Sequence, residues 1–299
     1  MAKKFDLESY KESEEDNKVI YKPDKYIIMP ECFQDCVGLP GVQLGASHMF
    51  YGLSDSGKTI TMLHIAKAAQ SQNILPILIL TENKLDKKRM QEVGLDTENC
   101  IIKEDLSTLE DVYDYISTKI KHLKEDKLPY DIVFLWDSVA STPSRESFEV
   151  DKEGKITKKY GPQKNAAVIG YYNPIIMKMI TSTKQEDCPH YAGLVLIQQA
   201  YISPPAFPGA PATVTANGGE KIWFPLSTSV EIKEGKRLKA TVKGQQKEFA
   251  LISRLKVKKN HISELNCEGE LVFAGKEMFH NDEKLINEYK KAHKEEWEQ

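Results

Sequence analysis

The segment covering residues 52–59 constrains the fold of this chain more than any other part of its sequence. It reads Gly-Leu-Ser-Asp-Ser-Gly-Lys-Thr and matches the phosphate-binding pattern G-x-x-x-x-G-K-[ST] at every fixed position. Its glycines let the backbone wrap closely around a polyphosphate, which then faces backbone N–H groups at the start of a helix. Residues 47–51 read as the preceding strand and residues 60–69 as the following helix. The segment therefore predicts an α/β fold with a nucleotide-binding loop, called here the P-loop (residues 52–59).

Two side chains of the P-loop are expected to act directly on the bound nucleotide. Lys58 supplies a positive charge to the β- and γ-phosphates, and the hydroxyl of Thr59 is a ligand for Mg²⁺. The residues in and next to the loop that are predicted to contact the nucleotide are Gly52, Ser54, Asp55, Ser56, Gly57, Lys58, Thr59 and Ile60.

The composition excludes several classes of protein. With 299 residues, 40% of them hydrophobic and 28% charged, the chain can bury the core of one large globular domain. The formal net charge of −3 gives no global attraction for nucleic acid, so any DNA site has to be local. Cys32 and Cys36 lack a second Cys or His pair, which favours reduced thiols over a zinc site. Because no signal-peptide core and no membrane-length apolar run is present, we expect a cytoplasmic protein without a membrane partner.

The middle of the chain alternates short apolar runs with amphipathic stretches, which predicts a mostly parallel central sheet with helices on both faces. The apolar runs that predict buried strands cover residues 74–80, 132–136 and 193–197. The helical patterns cover residues 107–127, opened by a capping box of Ser107 and Glu110, and residues 163–182, interrupted by Pro174. We expect the strand at 74–81 to lie beside the strand that precedes the P-loop.

The two ends of the chain differ from this middle part. Residues 1–30 are charged without clean periodicity and predict an N-terminal arm that could serve in polymerisation. Beyond residue 227, short strands joined by polar turns predict an antiparallel extension at the C-terminal side of the sheet; they cover residues 230–232, 238–242, 249–257 and 270–273. Residues 283–299 predict a charged helix with little apolar face. The predicted divisions are an arm (1–30), a core (31–275) and a short charged C-terminal helix (276–299).

Polar side chains follow three of the predicted strands. Asp137 comes directly after the apolar run that ends at residue 136, where a P-loop protein needs a carboxylate for Mg²⁺. Glu82 follows the strand at 74–81 and is predicted to orient an attacking water, with capping of the next helix as the alternative. Gln198 and Gln199 end the strand at 193–197 and are predicted to bond the γ-phosphate, with a solvated strand end as the alternative. Parallel strands bring such ends to one edge of the sheet.

In order and spacing over residues 39–272, these elements resemble the RecA family of DNA strand-exchange proteins, in particular its short phage (UvsX-like) members. Five short segments carry the resemblance; they are residues 80–86 (Leu-Thr-Glu-Asn-Lys-Leu-Asp), 136–140 (Trp-Asp-Ser-Val-Ala), 196–199 (Leu-Ile-Gln-Gln), 218–224 and the basic stretch 254–261. The resemblance implies a RecA-like P-loop NTPase core that uses ATP and Mg²⁺ as a DNA-dependent ATPase.

The resemblance also implies roles for single residues. The implied catalytic residues are Glu82, Lys58, Gln199, Lys259 and His261; Asp86 joins the nucleotide contacts, and Thr59 and Asp137 hold the metal. Lys259 and His261 would stand over the ATP of an adjacent subunit, as an arginine finger does. The sequence departs from the bacterial pattern at His261, where lysine is usual, and at Arg89, where an aromatic residue near the adenine is usual. Because the chain ends soon after the core, we expect no counterpart of the bacterial C-terminal domain.

Two segments are expected to contact DNA. Residues 145–164 hold a basic half at the position of the family's first DNA loop, where lysines neutralise phosphates; a solvated charge run is the alternative. Residues 200–217 form a long, nearly uncharged connection without a secondary-structure signal, at the position of the second DNA loop; an ordinary surface loop is the alternative. The residues predicted to bind DNA are Lys155, Lys158, Lys159, Lys164, Tyr201, Ile202, Phe207, Gly218 and Gly219.

The predicted function is ATP-dependent homologous recombination in the cytoplasm of a bacterium or a phage-infected host. The protein would form a helical filament on single-stranded DNA and promote pairing and strand exchange with homologous duplex DNA; single-strand-binding and mediator proteins are further candidate partners. One alternative is a ring-forming RecA-fold motor of the replicative-helicase kind, which electron microscopy of rings would favour. Another is a nucleotide-switched regulatory ATPase, which ATP hydrolysis indifferent to single-stranded DNA would favour.

Overall fold

A computed structural model describes residues 19–82, 85, 87–149, 162–204, 213–218, 222–242, 244–263 and 266–294. Its helices are α1 (Glu31–Val37), α2 (Lys58–Ser71), α3 (Lys87–Val93), α4 (Leu109–Lys124), α5 (Pro162–Ser182) and α6 (Glu283–Ala292). Its strands are β1 (Tyr26–Ile28), β2 (Gly41–Gln43), β3 (Ser47–Gly52), β4 (Leu75–Leu80), β5 (Ile101–Lys103), β6 (Ile132–Asp137), β7 (Ala192–Ser203), β8 (Thr213–Ala216), β9 (Thr228–Val242), β10 (Gln245–Asn260), β11 (Glu268–Ala274) and β12 (Glu277–His280).

One central sheet organises these elements, with the strand order β12-β11-β10-β9-β3-β7-β6-β4-β5. Pairing is parallel from β9 through β3, β7, β6 and β4 to β5. It is antiparallel between successive strands from β9 to β12. The predicted fold, a mostly parallel sheet with an antiparallel extension at its C-terminal side, is confirmed.

Helices cover both faces of this sheet. Helices α1, α2 and α3 contribute to the core on one face, which Phe50 and Val133 enter from the sheet. Helices α4 and α5 contribute to the core on the other face, which Met49 and Phe134 enter. Because neighbouring residues of β4 and β6 are buried on opposite faces, these strands have apolar residues at nearly every position. Double coverage is thus the physical reason for the unbroken apolar runs in the sequence.

The expected position of β4 beside β3 was wrong. Strands β7 and β6 lie between β3 and β4. Helix α2, which connects β3 to β4, packs across β7, β6 and β4. The chain therefore returns to the sheet on the far side of β7 and β6. Apolar periodicity identifies a strand, but the packing of the connecting helix decides which strand becomes its neighbour.

Two β-hairpins are longer than the sequence suggested. The first begins in β7, which continues to Ser203 and pairs antiparallel with β8, so the connection 200–217 contains strand pairs where none was expected. Its paired residues include Tyr201 and Ile202, whose side chains favour strands. The second hairpin joins β9 and β10, 15 and 16 residues long, where shorter separate strands were expected. Register shifts along this ladder disturb the two-residue alternation on which the sequence reading depends.

Three helices also differ in detail from their predicted form. The capping box of α4 is formed by Thr108 and Asp111, one residue later than expected, because Thr108 takes the extended conformation of an N-cap. Helix α5 continues through Pro174, and the preceding Asn173 accepts a hydrogen bond from the Tyr113 hydroxyl of α4 (2.7 Å). Helix α6 ends at Ala292 and buries Tyr289 against Phe249, so it has an apolar face after all.

The described part of the N-terminal segment runs along the core. Strand β1 pairs antiparallel with β2, and Tyr21 forms an isolated bridge with Gln185. The Lys22 ammonium lies 3.8 Å from the centre of the Tyr191 ring. Among the described residues, no helix is long and apolar enough to cross a membrane.

Two buried histidines make the stability of this fold depend on pH. Burial lowers the pKa of His48 to about 4 and the pKa of His64 to about 4, from an ordinary value of 6.5. His48 has hydrogen-bond partners in Thr228 and the Gln43 carbonyl, whereas Nε2 of His64 is buried without one. A histidine with a depressed folded-state pKa stabilises the fold above the unfolded pKa, and this stability is lost as pH falls from about 6.5 toward 4.

We predict that the free energy of unfolding falls between pH 7 and pH 5.5 by about 1 kcal/mol for each of these two histidines. His64→Leu removes a buried polar atom that has no partner, so its stability at pH 7 should equal or exceed that of the parent, and its loss on acidification should be smaller by about 1 kcal/mol. Urea denaturation at both pH values measures this. A variant that loses as much stability on acidification as the parent would contradict the assignment.

Candidate nucleotide-binding site

The P-loop joins the end of β3 to the start of α2 and curves under close contact with the β9–β10 hairpin. A Cβ atom on Gly52 would lie 2.0 Å from the carbonyl oxygen of Ile232 in β9. Gly57 has a φ of 106°, and a Cβ atom there would lie 2.4 Å from the Ser253 hydroxyl of β10. Both glycines are therefore required by space, and Gly57 also by its left-handed backbone.

The hairpin also fixes the P-loop through polar contacts. The hydroxyl of Ser253 donates a buried hydrogen bond of 2.8 Å to the carbonyl of Ser56. Further out on the hairpin, the Arg237 guanidinium pairs with Glu234 (2.9 Å) and Glu248 (3.0 Å) and lies 3.9 Å from the Asp55 carboxylate. The curvature of the loop thus depends on strands that follow it by nearly 200 residues in sequence.

At the start of α2, the Lys58 side chain is buried and the Thr59 side chain is half-buried. The Lys58 ammonium donates to the carbonyl of Leu53 (2.6 Å), across the mouth of the loop. The Thr59 hydroxyl donates to the Asp137 carboxylate at the end of β6 (2.7 Å). The structure therefore brings together the hydroxyl and the carboxylate that the sequence nominated for Mg²⁺. Among the described residues, no group of three or more His, Cys, Asp or Glu side chains could hold a metal ion.

A cavity of about 720 Å³ opens over the P-loop. Of the predicted site residues, those that line it are Ser54, Asp55, Ser56, Gly57, Lys58, Thr59, Ile60, Glu82, Asp137 and Gln199. Its other wall is formed by α3 and the C-terminal strands, through Arg89, Val93, Leu251 and Phe273. The volume and the mixture of backbone, cationic and apolar lining suit a nucleotide.

Three strand ends meet around the carboxylate of Glu82. Its Oε1 accepts from the Ser138 hydroxyl after β6 (2.5 Å) and from the side-chain amide of Gln199 in β7 (2.6 Å). Glu82 itself follows β4 by two residues. This convergence is the geometry expected from the carboxyl ends of parallel strands.

The neighbouring glutamine connects the same region to the β7–β8 hairpin. Gln198 accepts from the backbone N–H of Ala140 (2.8 Å) and donates to the carbonyl of Asn217 (2.6 Å). The backbone N–H of Asn217 in turn donates to the carbonyl of Gln199 (2.9 Å). Gly218, with a φ of 101°, follows and lies against the Gln198 side chain. The base of the hairpin is therefore hydrogen-bonded to the strand end that carries Gln199.

Lys259 lies far from this cavity. It opposes Ser229 of β9, which opposes Met49 near the start of β3, whereas the P-loop follows the end of β3. Its ammonium donates to the carbonyls of Trp223 (2.7 Å) and Phe224 (2.9 Å), and burial lowers its pKa. Ser253, which contacts the P-loop, and Lys259 are six residues apart in the extended strand β10, so the distance between them is about 20 Å. Neither Lys259 nor the adjacent His261 is among the described residues that line the cavity.

The predicted DNA-binding residues fall into two groups. Tyr201 and Ile202 are half exposed on the β7 arm of the hairpin, and Lys164 at the start of α5 pairs with Glu146 (2.8 Å). The predicted site residues that lie outside the described residues are Asp86, Lys155, Lys158, Lys159, Phe207 and Gly219.

Sequence reasoning missed several residues of the site. Ser253 was detectable in principle, because it is a buried polar residue directly after the apolar run 249–252 of β10. Ser138 stood in a segment already singled out, directly after the metal-site aspartate. Arg237 carried no local signal, since its place in the cavity wall depends on how far the β9–β10 hairpin extends.

A P-loop between a central parallel strand and a helix, with a carboxylate at the end of a second parallel strand, two positions away in the sheet, defines a P-loop nucleotide-binding protein. Residues 31–274 match the family model of the RecA N-terminal domain. The match covers most of the chain, and the chain therefore belongs to the RecA family.

Individual relatives are similar at low identity. Protein RecA of Wolbachia sp. subsp. Brugia malayi is 24% identical over 229 residues, which is 76% of this chain and 57% of the relative. Protein RecA of Rickettsia africae is 24% identical over 227 residues, covering 76% of this chain and 59% of the relative. Protein RecA of Clostridium botulinum is 38% identical over 68 residues, 23% of this chain and 19% of the relative. The matched part thus spans less than two thirds of the length of these relatives.

The bond from Ser253 to the P-loop gives a prediction that needs no ligand. Ser253→Ala removes the donor to the Ser56 carbonyl and should speed amide hydrogen exchange across residues 53–57 by about fivefold, because a lost hydrogen bond costs about 1 kcal/mol of local stability. Ser71→Ala is the matched control, because that hydroxyl bonds within α2, at the Ala68 carbonyl. Equal exchange in parent and Ser253→Ala would show that the loop holds its shape without the hairpin.

Proposed function

We propose that this chain is an ATP-dependent homologous-recombination protein. It forms a filament on single-stranded DNA and promotes pairing and strand exchange with homologous duplex DNA. The observation that carries the proposal is the hydrogen-bonded connection from the cavity to the β7–β8 hairpin, through Gln199, Gln198 and Asn217. Membership of the RecA family supports it. We further propose that the chain is of the short phage (UvsX-like) type and works in the cytoplasm of a bacterium or an infected host, which rests on sequence resemblance alone.

The residues of the cavity suit the binding and hydrolysis of ATP. Lys58 exchanges its bond to the Leu53 carbonyl for the β- and γ-phosphates, while the backbone of the P-loop surrounds them. Mg²⁺ fits beside Thr59 and Asp137, whose hydroxyl and carboxylate are the hard oxygen ligands that this ion takes. Bound there, the ion neutralises charge on the phosphates.

Glu82 is the proposed general base. Its carboxylate lines the cavity and is oriented by the Ser138 hydroxyl and the Gln199 amide. A carboxylate in this position accepts a proton from the water that attacks the γ-phosphate. Gln199 is the proposed link to DNA, since a shift of its amide toward the γ-phosphate moves the strand end on which the hairpin is built.

DNA contacts are assigned to the two segments nominated by the sequence. Tyr201 or Ile202 on the hairpin arm, or Phe207 later in the same segment, inserts between bases. Gly218, which has a left-handed backbone at the base of the hairpin, and Gly219 are assigned to the same DNA contact. Basic residues of the preceding segment neutralise DNA phosphates; they are Lys155, Lys158, Lys159 and Lys164. Asp86 is assigned to the nucleotide.

Lys259 and His261 are assigned to the nucleotide of an adjacent subunit. The distance of Lys259 from its own cavity supports this assignment, because the side chain cannot span about 20 Å. A head-to-tail contact between identical chains brings such a residue over the neighbour's P-loop and generates a polymer. Its ammonium would then stabilise charge on the transferring phosphoryl group.

The first test separates nucleotide binding from hydrolysis. Lys58→Ala should abolish tight binding of a fluorescent ATP analogue, because it removes the cation of the P-loop. Glu82→Gln should bind the analogue like the parent and hydrolyse ATP about 10²- to 10⁴-fold more slowly, because only the proton acceptor is lost. Lys67→Ala on the same helix is the control for both assays. Hydrolysis at the parental rate by Glu82→Gln would remove this residue from the mechanism.

The second test addresses the shared site. Lys259→Ala should lower hydrolysis stimulated by single-stranded DNA by about 10²-fold or more, while the unassembled protein keeps its nucleotide affinity. Mixed with an equal amount of Lys58→Ala protein, it should recover activity, because about a quarter of the head-to-tail contacts then pair an intact P-loop with an intact Lys259.

Electron microscopy of the mixtures on single-stranded DNA provides the control for co-assembly. Open helices are expected, and closed rings would favour a motor of the helicase kind. A co-assembled mixture no more active than either parent protein would mean that each site is complete within one chain, which contradicts the filament proposal.

A further inference from the structure

A group of three side chains lies directly behind Glu82, and the proposed roles of the site do not use it. Its members are the indole of Trp136 and the hydroxyls of Thr81 and Thr142. Trp136 is fully buried at the end of β6, one residue before Asp137, and its indole N–H lies 3.3 Å from both threonine hydroxyls. Thr81 is the residue immediately before Glu82. The group therefore cross-links the metal-site strand to the segment that carries the proposed base.

The hydrogen bonds of the two threonines have a consistent assignment. Their hydroxyl oxygens are 2.8 Å apart, and each also lies within reach of the Ser138 carbonyl, at 3.0 Å from Thr81 and 2.8 Å from Thr142. Each hydroxyl has one proton. One threonine therefore donates to the Ser138 carbonyl and the other to its partner threonine, and the indole N–H is satisfied by either oxygen. Buried polar groups that are all satisfied in this way hold one conformation.

These bonds extend the pairing of β4 and β6 beyond the end of the ladder. The ladder ends where Leu80 opposes Asp137. The Thr81 backbone N–H then donates to the Asp137 carbonyl (2.9 Å), and the Thr81 side chain reaches the Ser138 carbonyl. Ser138 in turn donates from its own hydroxyl to Glu82. Thr81 precedes Glu82 in the chain, and Ser138 donates a hydrogen bond to its carboxylate. The Thr81 hydroxyl joins these two residues to each other and so fixes both.

The indole is itself held from behind. Tyr113 of α4 packs edge-on against Trp136 at 5.4 Å, and the Tyr113 hydroxyl donates to Asn173 of α5. The packing of α4 therefore fixes the position of the Trp136 ring, and the indole N–H makes the contact with Thr81 and Thr142. Replacement of Trp136 by Phe removes the N–H and keeps an aromatic ring against Tyr113.

We infer that Thr81 and Trp136 are positioning residues for Glu82, which hold its carboxylate in the orientation needed for hydrolysis. The inference rests on the proposed function of Glu82 as the base. A misplacement of a catalytic group by a fraction of an ångström lowers the rate of the chemical step without weakening substrate binding, because the P-loop contacts are separate. Among the described residues, those that line the cavity do not include Thr81 or Trp136.

The experiment is a double-mutant cycle on steady-state ATP hydrolysis in the presence of single-stranded DNA. Thr81→Val removes the hydroxyl with little change of shape and should lower kcat about tenfold, with KM for ATP within twofold of the parent. Trp136→Phe should lower kcat about threefold in the same pattern. Thr81→Ser keeps the hydroxyl and should retain kcat within about twofold. In a Glu82→Gln background, Thr81→Val should cause no further loss, because Thr81 acts only through Glu82.

Titration with a fluorescent ATP analogue measures the concentration of folded protein in each sample, and each rate is divided by that concentration. Three outcomes would overturn the inference and leave Thr81 a structural role. In the first, the Thr81→Val protein loses binding of the analogue, and in the second, Thr81→Ser lowers kcat as much as Thr81→Val does. The third outcome is an equal loss of kcat on Thr81→Val in the parent and in the Glu82→Gln background. If Glu82→Gln slows hydrolysis but Thr81→Val and Trp136→Phe do not, only this inference fails. If Glu82→Gln hydrolyses ATP normally, the proposed base and this inference fail together.

Discussion

The parallel pairing of β3 with β7 on one side and with β9 on the other is the constraint on which the site depends. It places the P-loop in the middle of the sheet, next to the strand end that carries Gln199. It also brings β10, which pairs with β9, close enough for Ser253 to bond the loop. Because the strands run in one direction, Glu82, Asp137 and Gln199 all lie at the same edge. These three side chains therefore lie close together without long loops to carry them.

Much of the fold and part of the site could be predicted from the sequence, since the responsible signals are local. The P-loop is a contiguous pattern, and Asp137 is marked by the abrupt end of an apolar strand. The meeting of Thr59 with Asp137 followed from the known demands of a P-loop on its metal site. Glu82 and Gln199 were marked by the same kind of local signal, a polar residue at the end of a predicted strand, and the structure brings them within hydrogen-bond distance of each other.

What the sequence did not predict depends on contacts between distant residues. The separation of β3 from β4 is decided by the packing of α2, which no apolar period records. The full length of the β9–β10 hairpin was not predicted, because its outer part is charged on both faces and its ladder is irregular. Ser253 and Arg237 acquire their roles only through that hairpin. The network around Thr81 was invisible for a similar reason, since its partners come from separate strands and loops.

Strand β10 has a mechanical consequence for any head-to-tail polymer of this chain. One point on it, Ser253, is bonded to the nucleotide loop of its own subunit, and another, Lys259, stands about 20 Å away at the opposite edge of the sheet. If Lys259 contacts the neighbouring nucleotide, as proposed, the part of β10 between these two residues would set the distance from one nucleotide loop to the next, because it is paired with β9. A change in helical pitch would then have to come from rotation between subunits, with the spacing of successive nucleotides nearly unchanged.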